Sequence, residues 1–217
     1  LSSSSAASDV YKRQEIGTVK SIRTQQSVRT LDISCQKILE DMHIGDSISV
    51  NGACLTVIDF QQNQFSVQVI KGTENKTYLA NIKENDEVNL ERAMSGSGRF
   101  GGHFVLGHVD AKGTIINIRE TPNSRIVSIK ASDSVIKQMV KQGSITVDGV
   151  SLTIFDLHQH SFDIHLIPET RRSTILSNKK MGDEVHLETD VLFKYVESIV
   201  GKNKSDLSVD KLKAYGF

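Results

Sequence analysis

The sequence predicts a mainly β protein built from two copies of one small barrel or sandwich, and three observations carry that prediction. The first is an internal repeat. Ser47-Ile-Ser-Val-Asn-Gly-Ala-Cys-Leu-Thr-Val-Ile-Asp-Phe returns as Ser144-Ile-Thr-Val-Asp-Gly-Val-Ser-Leu-Thr-Ile-Phe-Asp-Leu after a shift of 97 residues, the separation of Gly52 and Gly149. Between Ser47 and Thr73, eleven of 27 positions are identical under that shift, where unrelated sequence agrees at about one in fifteen. Secondly, short β-branched stretches recur at intervals of about ten residues, punctuated by Gly45-Asp46, Gln62-Asn63, Asn85-Asp86, Pro122-Asn123 and Gly182-Asp183. Thirdly, Phe65-Ser-Val-Gln-Val-Ile and Phe162-Asp-Ile-His-Leu-Ile alternate apolar and polar residues, so one face of each strand looks inward. A period this long is too large for a solenoid unit, and each copy is expected to own a core.

In chain order, residues 1–14 lack the apolar stretch of a signal peptide and do not resemble the start of the second copy, and are read as a foreign or disordered leader. The first domain is set at 15–101 and the second at 102–189, opening on the similar phrases Gly17-Thr-Val-Lys-Ser-Ile-Arg and Gly113-Thr-Ile-Ile-Asn-Ile-Arg. Each copy is expected to hold one short helix. Ser132 offers a cap, Val135, Ile136, Met139 and Val140 an apolar face, and Gly143 a stop, while 34–42 is the fainter counterpart. The remainder, 190–217, carries a third helix and a tail: Val191, Leu192, Tyr195, Val196, Ile199 and Val200 fall on one stripe before Gly201. A stripe with no copy in its own half is better used for assembly with other subunits than for folding back.

Lys+Arg and Asp+Glu both number 26 in the 217 residues, for a formal net charge of zero. Such a chain has no basic block to track a phosphate backbone, which argues against a nucleic-acid partner. No apolar run approaches bilayer-spanning length, which argues against a membrane. The two cysteines, Cys35 and Cys54, both lie in the first copy and neither is repeated, so a disulfide framework is not expected and a reducing, cytoplasmic setting fits.

Gly96-Ser-Gly98-Arg-Phe-Gly101 spells a dinucleotide fingerprint, but Gly102-His-Phe-Val-Leu-Gly107 cannot continue as the helix that motif needs, and the segment reads as a joint. His103, His108 and Asp110 invite a metal, yet their spacing on a glycine-rich loop is not a ligand pattern, and no metal is expected. His158 and His160 fall in a turn and read as solvated, and His165 lies on a strand's polar face. The informative positions are those the copies share. Gly52-Ala-Cys54-Leu55-Thr56 and Gly149-Val-Ser151-Leu152-Thr153 put a thiol and a hydroxyl at equivalent places. The loops Lys71-Gly72-Thr73 and Pro168-Glu169-Thr170 match in position but differ in chemistry, so the two sites are expected to be unequal.

Taken together, Val50-Asn-Gly-Ala-Cys-Leu-Thr-Val57, Gly101-Gly-His-Phe-Val-Leu-Gly-His-Val-Asp110, Val147-Asp-Gly-Val-Ser-Leu-Thr153 and His165-Leu-Ile-Pro-Glu-Thr170 resemble the riboflavin synthase alpha chain family over about 15–200. The resemblance implies two homologous six-stranded Greek-key β-barrels and a C-terminal helix that assembles a homotrimer, with active sites between subunits. It also implies a cofactor-free dismutation of two 6,7-dimethyl-8-ribityllumazine molecules to riboflavin and 5-amino-6-ribitylaminouracil. It places one lumazine against Cys54, Leu55, Thr56, Gln68, Val69, Ile70, Lys71, Gly72 and Thr73, with Gly107, His108 and Val109 beside it. The other lies against Ser151, Leu152, Thr153, His165, Leu166, Ile167, Pro168, Glu169 and Thr170, with Lys141 and Gln142 near by. His108 is the choice for proton transfer, assisted by Ser151, Cys54 and Asp190. Association with lumazine synthase is a further partnership the resemblance suggests.

Four departures from the family pattern stand out. Residues 8–14 replace the usual start Met-Phe-Thr-Gly-Ile-Ile-Glu; Lys71-Gly72 replaces a Pro-Glu-like pair; Gln142 stands where lysine is common; and Phe193 replaces a small residue. The first two fall in the N-terminal site, and the alternative they raise is a non-catalytic lumazine- or flavin-binding protein of the same fold.

Overall fold

A computed structural model of the chain describes residues 15–26, 28–70, 76–94 and 102–204. The leader 1–14, Lys71-Gly72-Thr73, the Gly96–Gly101 motif and the tail 205–217 lie outside the described residues.

The first barrel is made of β1 (Glu15–Gln25), β2 (Val28–Ser34), β3 (Ser47–Val50), β4 (Ala53–Gln61), β5 (Gln64–Val69) and β6 (Glu87–Arg92). The second repeats it with β7 (Ala111–Glu120), β8 (Arg125–Lys130), β9 (Ser144–Val147), β10 (Val150–Leu157), β11 (Ser161–Leu166) and β12 (Glu184–Thr189). Both close in one order, β1-β2-β5-β4-β3-β6 and β7-β8-β11-β10-β9-β12, and every pairing is antiparallel. Closure leaves no open sheet edge. The repeat extends to irregularities: β1 bulges between Val19 and Ser21 as β7 does between Ile115 and Asn117, and β4 between Val57 and Asp59 as β10 does between Ile154 and Asp156.

Alternation fills each interior. Phe65, Leu31, Ile33 and Leu90 are fully buried in the first core, and Phe162, Ile129, Ile145 and Ile154 in the second. Each such side chain contributes about 1.5–3 kcal/mol.

The helices within the two copies are shorter than the sequence pattern suggests. The helix expected over 132–142 is a single turn, α1 (Asp133–Ile136), and its counterpart in the first copy is a 3-10 turn at Lys37–Leu39. The sheet wins the competition for backbone there. Gln142 N–H donates to the Ile154 carbonyl (2.8 Å) and Ile154 N–H donates to the Gly143 carbonyl (2.9 Å), which leaves Val140 facing solvent. Pro168-Glu169-Thr170, read as a loop, begins a short helix, α2 (Pro168–Arg172), because proline at the first helical position supplies the right φ and needs no donor. The terminal helix α3 (Val191–Lys204) presents Leu192, Tyr195, Val196, Ile199 and Val200 to solvent. No described helix is long and apolar enough to cross a membrane.

The barrels meet across a pseudo-twofold junction. The β3–β4 turn, Asn51-Gly52, and the β9–β10 turn, Asp148-Gly149, have positive φ at both residues (49°, 83°, 46° and 80°), as tight two-residue hairpins require. They abut so closely that a Cβ on Gly52 would stand 2.6 Å from the Gly149 nitrogen. Asn89 Nδ2 donates to the Asp148 carbonyl (2.9 Å), and its mate His186 uses Nδ1 on the Asn51 carbonyl (2.7 Å). Ile175 N–H donates to Asn89 Oδ1 (3.0 Å), just as Tyr78 N–H donates to His186 Nε2 (2.8 Å). One partner is an acceptor and the other a donor, which fixes His186 as the neutral imidazole protonated on Nδ1. Burial accordingly holds its pKa below the ordinary 6.5. The side chains break the symmetry: Tyr78 Oη donates to Asp148 Oδ1 (2.8 Å), and Lys179 sits 3.5 Å from Asp148 Oδ2.

Candidate active site

The repeat unit Gly-x-x-Leu-Thr opens β4 and β10, and strand alternation decides what each side chain does. In β4, Ala53, Leu55 and Val57 point into the core while Cys54 and Thr56 point outward. Gln68 and Ile70 are exposed beside them, whereas Val69 is buried. In the second barrel Thr153 and the half-buried His165 and Ile167 share the outer face, while Leu152 and Leu166 lie in the core. The side chains of Leu55, Val69, Leu152 and Leu166 therefore support these faces from within.

The equivalent positions Cys54 and Ser151 differ in environment. Cys54 is exposed, and Ser151 is buried beneath His103. His103 Nδ1 lies 2.8 Å from Ser151 Oγ and its Nε2 lies 3.1 Å from Thr146 Oγ1, so the buried imidazole bridges two hydroxyls. Four residues on, the same segment docks on the first barrel, where Cys54 N–H donates to the Gly107 carbonyl (2.8 Å). Four residues of extended chain span at most about 14 Å, so this connection joins two neighbouring outer faces. His108 follows at its end with an exposed side chain.

Two carboxylates fasten the connection. Glu188 of β12 accepts the N–H groups of Leu106 (2.8 Å) and Gly107 (3.0 Å). Asp110 accepts Thr189 N–H and Oγ1 (both 2.9 Å) and pairs with Lys194 of α3 (2.7 Å). His103, His108 and Asp110 thus have three different surroundings, and among the described residues no group of three metal-ligating side chains converges. Asp190 stands immediately before α3, where Oδ1 accepts Leu192 N–H (2.9 Å), the work of a helix cap.

The second barrel's face also carries an aromatic side chain. Phe155 stacks on His165 with ring centroids 3.8 Å apart, where the first barrel has Ile58 and Gln68. Desolvation lowers the His165 pKa. His165 Nε2 and Thr170 Oγ1 are buried without a hydrogen-bond partner among the described residues. Lys141 pairs with Asp156 (2.6 Å), Gln142 adopts a positive φ of 66°, Val109 packs against the first core, and Glu169 pairs with Arg172. His158 and His160, read as solvated, are exposed but lie beside Asp163 (3.5 Å) and Asp133 (2.8 Å).

In the sequence His103 reads only as a rejected metal ligand, and Glu188 and Phe155 carry no site signal of their own. Phe155 was within reach, because alternation puts it on the face of Thr153. The paired phrases Gly102-His103 and Gly107-His108 hinted at two docking points, but nothing local in β12 marks Glu188.

These features define a class: a duplicated-barrel protein whose two related outer faces are bridged by one connecting segment. Comparison with known proteins gives the class its family. The Lumazine binding domain family matches twice, over residues 14–93 and 106–190. Riboflavin synthase of Bacillus subtilis is 47% identical over 201 residues, covering 91% of this chain and 94% of that protein. Riboflavin synthase of Actinobacillus pleuropneumoniae is 44% identical over 209 residues, covering 94% and 97%. Among solved structures, LumP complexed with 6,7-dimethyl-8-(1'-D-ribityl) lumazine superposes with a TM-score of 0.74 at 25% identity, covering 82% of this chain and 96% of that one. LumP complexed with riboflavin gives 0.76 at the same identity and coverage. The chain belongs to the riboflavin synthase family.

Proposed function

We propose that this chain converts two molecules of 6,7-dimethyl-8-ribityllumazine into riboflavin and 5-amino-6-ribitylaminouracil by transfer of a four-carbon unit from one to the other. The observation that carries the reading is the pair of homologous outer faces, Cys54-Thr56 and Ser151-Thr153, related by the pseudo-twofold junction in a chain that matches riboflavin synthases over nearly its whole length. A reaction between two copies of one molecule calls for two similar sites. The reactants contain every atom of both products, so no external oxidant or cofactor is required. Holding both rings in a reactive pose replaces several kcal/mol of association entropy.

In this reading 15–101 and 102–189 are the two lumazine-binding halves. His108 moves the proton, Cys54 and Ser151 supply hydrogen bonds, and Asp190 assists while capping α3. The segment 103–107 stands between the two faces of one chain, which favours pairing the first barrel of one subunit with the second barrel of another. The uncovered stripe of α3 is the means of building such a trimer. A cytoplasmic location suits the unpaired thiols, and lumazine synthase is a candidate associate.

The experiment is incubation of pure protein with the lumazine alone. Consumption of two lumazines per riboflavin formed is expected. A lumazine that binds but stays unchanged would make the chain a non-catalytic binder, the reading its likeness to LumP favours.

A further inference from the structure

We infer that Glu188, a residue of the second barrel, is a positioning residue for the first barrel's site: its carboxylate clamps the Leu106-Gly107 backbone so that Gly107 seats on Cys54 and His108 is presented beside it. This inference rests on the proposed function for its kinetic arm and on geometry alone for its structural one.

Glu188 is 2% exposed on β12, and both of its oxygens are spent on backbone donors of the connection. An ionised carboxylate is costly to bury, and an apolar residue of similar size would serve a structural core at least as well. Burial pushes the Glu188 pKa up, opposed by the N–H groups of Leu106, Gly107 and His108 and by Lys194. The clamp bears on one tight contact. Gly107 has φ +77°, and a Cβ there would stand 2.7 Å from Cys54 Cβ and 3.0 Å from its nitrogen. The segment is therefore gripped from one side by Glu188 and pressed on the other against Cys54. Three residues after Gly107, Asp110 fixes the far end to Thr189 and Lys194. His108 is suspended between the two anchors, and the last strand of the second barrel sets where it stands over the first.

Glu188→Gln tests this, because it keeps the shape but turns an NH2 group toward a backbone N–H. In the full chain, kcat for riboflavin formation is expected to fall about tenfold or more while KM changes less than about threefold, the signature of a displaced reacting group. Hydrogen exchange of the Cys54 amide should speed up by about tenfold, the loss of one hydrogen bond, with the amides of β10 unchanged. Gly107→Ala should reproduce both effects from the opposite side, and the double variant should cost less than the sum of the two. An unchanged Cys54 amide together with kcat within about twofold of the parent would overturn the inference. Should the parent chain make no riboflavin, the proposed function fails, and the Cys54 exchange rate still decides the clamp. Should Glu188→Gln fail to fold, Gly107→Ala decides it: rapid Cys54 exchange supports the clamped seat, and unchanged exchange overturns it.

Discussion

Gly52 and Gly149 meet across the molecule, each standing where a methyl group on the other would overlap main-chain atoms. Gly52→Ala should therefore lose about 2–4 kcal/mol, combining a left-handed alanine with forced separation of the turns. Gly45 is the control. It too has a positive φ, but its missing side chain would meet nothing within 4 Å. Gly45→Ala should cost only the conformational part, about 1–2 kcal/mol. Denaturant titration of the three proteins checks this, and equal losses would mean that the turns do not press on each other.

His186 gives the junction a pH dependence whose sign follows from its neutral state. Its folded pKa is depressed below 6.5, so the unfolded chain takes up the proton first as pH falls. The contribution is complete above 6.5 and is lost progressively below it, at up to about 1.4 kcal/mol per pH unit. His186→Asn copies the mate Asn89 and should flatten that part of the curve. Stability measured between about pH 7 and 5 should fall more steeply for the parent; parallel curves would show that His186 does not titrate with unfolding.

The cysteines should separate cleanly in reactivity. Cys35 is buried, and desolvation with Glu15 near by pushes its thiol up to about 12, while Cys54 is exposed. Iodoacetamide at neutral pH should modify Cys54 alone, and a lumazine analogue should slow it. Undiminished labelling at saturating analogue would move the first binding face elsewhere.

His108→Ala and Ser151→Ala should lower turnover by about 100-fold or more, the usual scale for a lost proton-transfer group or its support. His158→Ala and His160→Ala, which remove exposed partners of Asp163 and Asp133, should stay within about threefold. Steady-state kinetics on the four variants test the assignment, and equal effects would show that the site is misplaced.

Val196→Asp puts a charge into the α3 stripe and should release smaller species in sedimentation, with activity falling in parallel. A variant that keeps the parent's mass and rate would remove the stripe from assembly.

Much of this architecture is legible in the sequence because it is local and repeated. Asn51-Gly52 and Asp148-Gly149 announce tight hairpins, and the alternation from Phe65 and from Phe162 assigns inner and outer faces. The apolar spacing over 132–142 suits a longer helix than the single turn found, because the bonds that hold 142–143 come from Ile154, outside the segment. The roles of His103 and Glu188 are illegible in the sequence for the same reason. Each is an ordinary residue until folding brings it to Ser151 or to the Leu106 amide. The Tyr78, Asp148, His186 and Lys179 cluster is likewise visible only once both barrels are closed.

The mated contacts at the junction are largely made to main-chain atoms: Asn89 and His186 reach across to carbonyls and receive amide hydrogens, and the glycines touch backbone to backbone. Peptide groups are common to every sequence. Once such a junction holds, each half of a duplicated gene is free to drift in its outward-facing residues without disturbing the alignment of the two. A cysteine can stand where its twin is a serine, and an isoleucine where its twin is a phenylalanine, so one ancestral face can diverge into separate donor and acceptor specialists while the angle between them is inherited unchanged.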